Sequence, residues 1–150
     1  MSKILYTEAA MSFEEKSTWI YALVSLLVCG SYFFSLLDDV RGAPSVDEIA
    51  YVGRMVGTIV LSIVVHVIAL VVAAIASPKD ANRRDERDVQ INRFGEYIGS
   101  FVFGSAVLVP LGLAMVEAAH FWIANAIYAS FVIGALASSA VKIFIYRRGA

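Results

Sequence analysis

Four long apolar runs, separated by short polar segments, dominate the pattern along this 150-residue chain. The first is Trp19–Leu37 (WIYALVSLLVCGSYFFSLL), which carries no charge. The second covers about Val52–Ala76 and is interrupted only by Arg54 near its start. The third, about Tyr97–Val116, is again uncharged, and the fourth, about Phe121–Tyr146, has Lys142 near its end. Each has the length of roughly 20 residues, at about 1.5 Å per residue, that a helix needs to cross a hydrocarbon core. The pattern predicts an all-α membrane protein: a single domain over 1–150, folded as a four-transmembrane-helix bundle with a polar loop at 77–96.

Local signals place the helix ends. Ser12-Phe-Glu-Glu15 and Ser45-Val-Asp-Glu48 both read as capping boxes, the second directly after Gly42-Ala-Pro44. They predict that the first helix begins well before the bilayer and that the second begins near Ser45. Ser77-Pro78 ends the second helix, and Asp85-Glu-Arg-Asp88 opens the next. Only Glu117-Ala-Ala-His120 separates the last two runs, with no Gly or Pro to mark a turn. A continuous helix over 97–146 would be about 75 Å long, more than twice the hydrocarbon thickness. A tight hairpin with Phe121 and Trp122 at headgroup level is therefore expected.

Charge distribution adds an orientation. Lys3, Lys16, Lys79, Arg83, Arg84, Arg87, Arg93, Lys142, Arg147 and Arg148 fall on the side of the termini and the 77–96 loop. Only Arg41 and Arg54 fall on the other. By the positive-inside rule both termini are expected in the cytoplasm, with the chain in the cytoplasmic membrane. The segment before Trp19 carries Glu8, Glu14 and Glu15 against Lys3 and Lys16, unlike the basic start of a cleaved signal, so the first run is expected to remain as a span.

Composition agrees with the pattern. Hydrophobic residues make up 59% and charged residues 17%, and the mean hydropathy is +0.74. A soluble domain this small needs more polar surface than that. A net charge of −1 argues against nucleic acid as a partner. The lone Cys29 lies inside the first run and has no second cysteine to pair with.

Few residues invite chemistry. His66 lies about 21 Å along the second span, where an ionisable side chain is costly and usually faces a bundle interior or water. Arg54, Thr58, Ser62 and His66 recur every four residues and share one sector of that helix. They form a candidate polar track for a proton, ion or small solute. The competing reading is a neutral histidine hydrogen-bonded across the bundle, with the hydroxyls bonded to their own helix. His120 lies at the opposite interface, about 20 Å from the height of His66, so the two cannot share an iron. No convergent metal-ligand set is legible, and neither cofactor nor catalytic group is expected.

Small residues carry a packing signal. Ala126, Ser130, Gly134 and Ser138 form a stripe at four-residue spacing, and Gly53-x-x-x-Gly57 and Gly95-x-x-x-Gly99 open the second and third spans. Such stripes let backbones approach within one bundle or between copies. Pro110 should kink the third span. In the loop, Arg83, Arg84, Asp85, Glu86, Arg87 and Asp88 are candidates for docking a partner. Alternatively they form a solvated helix start with local ion pairs worth about 0.3 kcal/mol each.

Asp85-Glu-Arg-Asp88, with Ile91 and then Gly95 and Gly99 leading into a span, resembles a signature of small four-span bacterial membrane proteins of unknown function. The resemblance covers about Asp85–Gly99. It implies a bacterial inner-membrane location and brings no activity. Small multidrug exporters share the span number but rely on a glutamate in the first span, which Trp19–Leu37 lacks. The leading expectation is a non-enzymatic accessory or regulatory membrane subunit, embedded in lipid and acting through a protein partner or self-association. The alternative is a small homo-oligomeric transporter or proton-coupled channel using the track on the second span.

Overall fold

The structure, a computed structural model, describes residues 12–76 and 86–148. It contains four helices long and apolar enough to cross a membrane: α1 Phe13–Gly42, α2 Val52–Ala76, α3 Glu86–Met115 and α4 His120–Arg148. The protein is an all-α, polytopic four-helix bundle.

Helix α1 starts where Ser12 turns extended and its hydroxyl accepts the Glu15 N–H at 3.1 Å. Glu14 and Glu15 in the first turn complement the positive end of the helix. Residues Ser25–Cys29 widen into a π-helical turn before the α-helix resumes at Gly30. The helix ends because Ala43 precedes Pro44, which disfavours the α conformation; Ala43 is extended, and its N–H bonds to Asp39 O at 2.9 Å.

The second capping signal acts differently from the expectation. Ser45 accepts the Asp47 N–H at 3.3 Å, but it caps only a 3-10 turn over Val46–Glu48. Helix α2 begins later, at Val52. Tertiary packing overrides the local signal: Ile49 turns extended and is buried in the core, and Tyr51 sets its ring edge-on to Phe121 at 5.2 Å.

Helix α3 is broken at a single residue, Val107. Pro110 explains the break, since it has no N–H to offer the carbonyl of Ala106 four residues earlier and its ring crowds that turn. The bonds on either side survive, from Val107 N–H to Phe103 O at 2.9 Å and from Leu111 N–H to Val107 O at 3.2 Å.

The connection from α3 to α4 does contain a turn residue, though of an unexpected type. Glu117 adopts φ 54°, the left-handed region where glycine is usual. Its N–H bonds to Ala114 O at 3.2 Å, and the Ala118 N–H reaches Leu113 O at 3.0 Å. This pair of bonds is the Schellman pattern, satisfying the last carbonyls of α3 before α4 starts at His120.

The helices associate unevenly. Helix α3 packs on α4, α4 on α1, and α2 chiefly on α1. Close approach of α3 and α4 occurs at two glycines. A Cβ on Gly99 would lie 2.9 Å from Gly134 O and 2.7 Å from the Ser138 Cβ; one on Gly134 would lie 2.8 Å from the Phe103 Cβ. Without a hydrophobic drive between helices in lipid, such backbone contact is a main source of association.

At the end away from the termini, Cys29, Tyr32, Leu36, Ile49, Phe121 and Tyr128 form the apolar core. Two polar contacts thread it. The Tyr32 hydroxyl donates to Asn125 Oδ1 at 2.7 Å, and the Tyr128 hydroxyl contacts Cys29 Sγ at 3.1 Å. Asn125 also donates to its own helix at Phe121 O, 2.8 Å away. Its side chain is thereby satisfied inside the bundle, as a buried amide requires.

Candidate functional site

The residues singled out in α2 divide between different surroundings. Arg54 forms an ion pair with Asp39 of α1 at the end away from the termini. Thr58 and Ser62 donate to carbonyls of their own helix, at Arg54 O (2.8 Å) and Ile59 O (2.9 Å). His66 is half-buried, with its ring edge-on to Tyr21 at 4.9 Å. Its Nδ1 is buried and has no hydrogen-bond partner among the described residues. Thus the four residues share a sector, but Arg54 borders a separate recess with Asp38, Asp39 and Glu48, whereas Ser62 and His66 border the bundle interior.

Two cavities meet at His66. A vestibule of about 410 Å³ lies towards the end that holds Ser12 and Tyr146. Its walls come from all four helices: Glu14, Ser17 and Thr18 of α1, His66 of α2, Asn92 and Glu96 of α3, and Ser139 and Lys142 of α4. Deeper in the bundle, a chamber of about 220 Å³ is lined mainly by apolar groups such as Val24, Ile59, Ile63 and Val132, with Ser25, Cys29, Ser62 and Tyr128. Tyr21, His66, Phe131 and Ala135 belong to both walls.

The charged wall of the vestibule is built by the α3–α4 contact. The Lys142 ammonium pairs with Glu96 Oε1, which lies 3.4 Å from the Ser138 hydroxyl. The lysine side chain is 12% exposed and that of Glu96 64% exposed, so the carboxylate still faces open space. Gly95 leaves room for the lysine stem, since a Cβ there would fall 2.6 Å from Lys142 Cε. Three hydroxyls of the wall are spent on their own helices: Ser17 and Thr18 donate to Glu14 O at 3.0 and 2.8 Å, and Ser139 to Ala135 O at 3.0 Å. Each keeps lone pairs with which to accept.

Of the loop candidates, Arg83, Arg84 and Asp85 lie outside the described residues. Glu86 and Arg87 are exposed at the start of α3. Asp88 turns inward: it is only 8% exposed and accepts from the Tyr146 hydroxyl at 3.0 Å and the Ser12 hydroxyl at 3.4 Å. It ties the start of α1, the start of α3 and the end of α4 together. Nearby, the Arg147 guanidinium lies 5.6 Å from the Trp19 ring. A spacing signal for Asp88 is present in the sequence, because Asp88, Ile91, Gly95 and Gly99 are the buried residues of the Glu86–Ala106 part of α3 and follow one helical face. Likewise the four-residue stripe Ser130, Gly134, Ser138 continues into Lys142 and Tyr146, the partners of Glu96 and Asp88.

The remaining small residues differ in role by position. Ser130 is buried and donates to Ala126 O at 2.8 Å. Gly53 and Gly57 have nothing within 4 Å of an added Cβ. They sit on the outward face of α2 with Val60 and Val64, and none of the 25 residues of α2 is buried. Among the described residues, no three His, Cys, Asp or Glu side chains converge as metal ligands would. Comparisons with protein-family models, curated proteins and solved structures find no match. The likeness of Asp85–Gly99 to small four-span proteins therefore names no family.

Proposed function

We propose that this polytopic membrane protein is an accessory or regulatory subunit, acting through lateral contact with a partner protein or a second copy and not through a reaction of its own. The observation that carries the reading is the state of α2. It leans on the bundle chiefly through α1, while Gly53, Gly57, Val60 and Val64 face outward. Small residues on an outward face allow a neighbouring helix to approach closely, a use that lipid alone does not require. The exposed Glu86 and Arg87 at the start of α3 would offer a further polar contact to a partner. In this reading both termini are cytoplasmic in a bacterial inner membrane, supported by ten basic residues on the terminal side against two on the other. Site-directed photo-crosslinking from α2 in the native membrane tests it.

A second reading, passage of a proton or small solute, draws support from His66, a residue of the wall of both cavities. In proteoliposomes His66→Ala is then expected to reduce flux about tenfold without lowering protein yield, the scale of losing one positioned polar group in a low-dielectric site. Flux equal to that of the unaltered chain removes His66 from any such path.

A further inference from the structure

We propose that the deeper chamber is a binding site for a small, neutral aromatic molecule, held by apolar packing and ring contacts. Such a site needs neither a partner protein nor passage across the membrane.

The chamber exists because α2 and α4 both pack on α1 and barely on each other. Helix α1 supplies the wall behind that gap through the π-helical turn Ser25–Cys29, whose two end residues line the chamber. A π turn inside an α-helix is uncommon and recurs at functional sites. The volume of about 220 Å³ exceeds the roughly 150 Å³ of an apolar cavity that stays dry and takes up benzene. Along α2 the wall runs from Ile59 to Val67, roughly 12 Å on the helical rise and near the middle of the span.

The wall selects against charge. Among the described residues it includes no Lys, Arg, Asp or Glu, and an ion without a counter-charge is costly at that depth. Two of its polar groups already have partners within the chain. The Ser62 hydroxyl donates to Ile59 O at 2.9 Å, and the Tyr128 hydroxyl contacts Cys29 Sγ at 3.1 Å. Val24, Ile63, Val67 and Val132 supply aliphatic surface. Aromatic surface comes from Tyr21, Tyr128 and Phe131, and each of these rings is braced by another. Tyr21 stands edge-on to His66 at 4.9 Å, Phe33 stacks on Tyr128 at 5.5 Å, and Phe103 stacks on Phe131 at 4.7 Å. Rings held in this way can meet a flat aromatic ligand edge-on or offset without first having to be ordered. A flexible hydrocarbon chain gains no such ring contact and loses conformational freedom on entering so short a space.

The test is photolabelling of the full-length protein in phosphatidylcholine nanodiscs with trifluoromethyl phenyldiazirine, a small neutral aromatic probe. Adducts are mapped by peptide mass spectrometry. The expected result is saturable labelling at the buried Cys29 and Tyr128, distinct from the non-saturable background at exposed Leu27 and Phe34. Naphthalene is expected to displace the saturable labelling about tenfold more effectively than n-decane at equal concentration in the bilayer, the scale of one or two ring contacts. The anion 2-naphthoate should not displace it. Ala135→Phe, which places a ring in the chamber, is expected to lower labelling of Cys29 and Tyr128 about tenfold by filling the space the probe needs, with labelling of Phe34 unchanged. Should that variant fail to fold, the competition order on the unaltered chain decides. Labelling that never saturates, labelling confined to Leu27, Phe34 and their like, or displacement by n-decane or 2-naphthoate as effective as by naphthalene overturns the proposal.

Discussion

Gly134→Val is expected to separate α3 from α4 and to leave little folded protein in mild detergent. The Cβ of residue 134 would already lie 3.1 Å from Gly99 O and 2.8 Å from the Phe103 Cβ, and valine adds two methyl groups beyond it. Part of the obstacle is backbone, which cannot rotate aside as a flexible side chain would. A steric conflict of this kind costs about 3 kcal/mol. Because α3 and α4 form the most extensive helix contact in the molecule, few other contacts can compensate. The expected readout is a broadened or aggregated peak on size exclusion and a melting temperature lowered by many degrees. Gly57→Val provides the matched contrast: open space surrounds that position, so its stability should stay within about 0.5 kcal/mol of the unaltered chain. Equal damage from both would show that the α3–α4 approach is not what the glycines serve.

Asp88→Ala is expected to destabilise the bundle by about 2 kcal/mol, the usual scale for hydrogen bonds to a buried charged group. It removes the acceptor of both Tyr146 and Ser12 and loosens three helix ends at once. Tyr146→Phe should cost about half as much, and the double variant less than the sum, because both changes break one shared contact. Glu86→Ala, two residues away and exposed, should change little. Thermal unfolding in one detergent and lipid mixture checks the series. An Asp88→Ala protein as stable as the original would return that carboxylate to the role of an outward docking group.

These two cases mark what the sequence discloses and what it hides. Apolar runs of spanning length are legible because no alternative buries so much hydrocarbon, and the second run, about Val52–Ala76, is also the range that α2 occupies. The close α3–α4 approach can be anticipated from Gly95-x-x-x-Gly99 and the stripe through Gly134. What a stripe cannot say is which neighbour it meets: Gly53 and Gly57 have the same spacing and face outward. Asp88 was hidden by its charged neighbours, since a run such as Asp85-Glu-Arg-Asp88 reads as solvated until its helical phase is compared with Ile91 and Gly95. Glu117 was hidden for another reason. Glutamate has no preference for the left-handed conformation, so only hydrogen bonding at the end of α3 reveals the turn. Finally, the track Arg54, Thr58, Ser62, His66 is legible as a sector, but the pairing of Arg54 with Asp39 depends on the packing of α1 against α2.

Photo-crosslinking in the native membrane bears most directly on the claim that α2 is a contact surface. A photoreactive residue is placed in turn at Val60 and Val64, on the outward face of α2, and at Phe101 of α3, which is even more exposed to the surroundings. The expected result is a discrete protein adduct of defined mass from both α2 positions, either a second copy of this chain or one partner, and none from Phe101. Lipid adducts alone from all three positions, or the same diffuse protein labelling from each, would contradict the account.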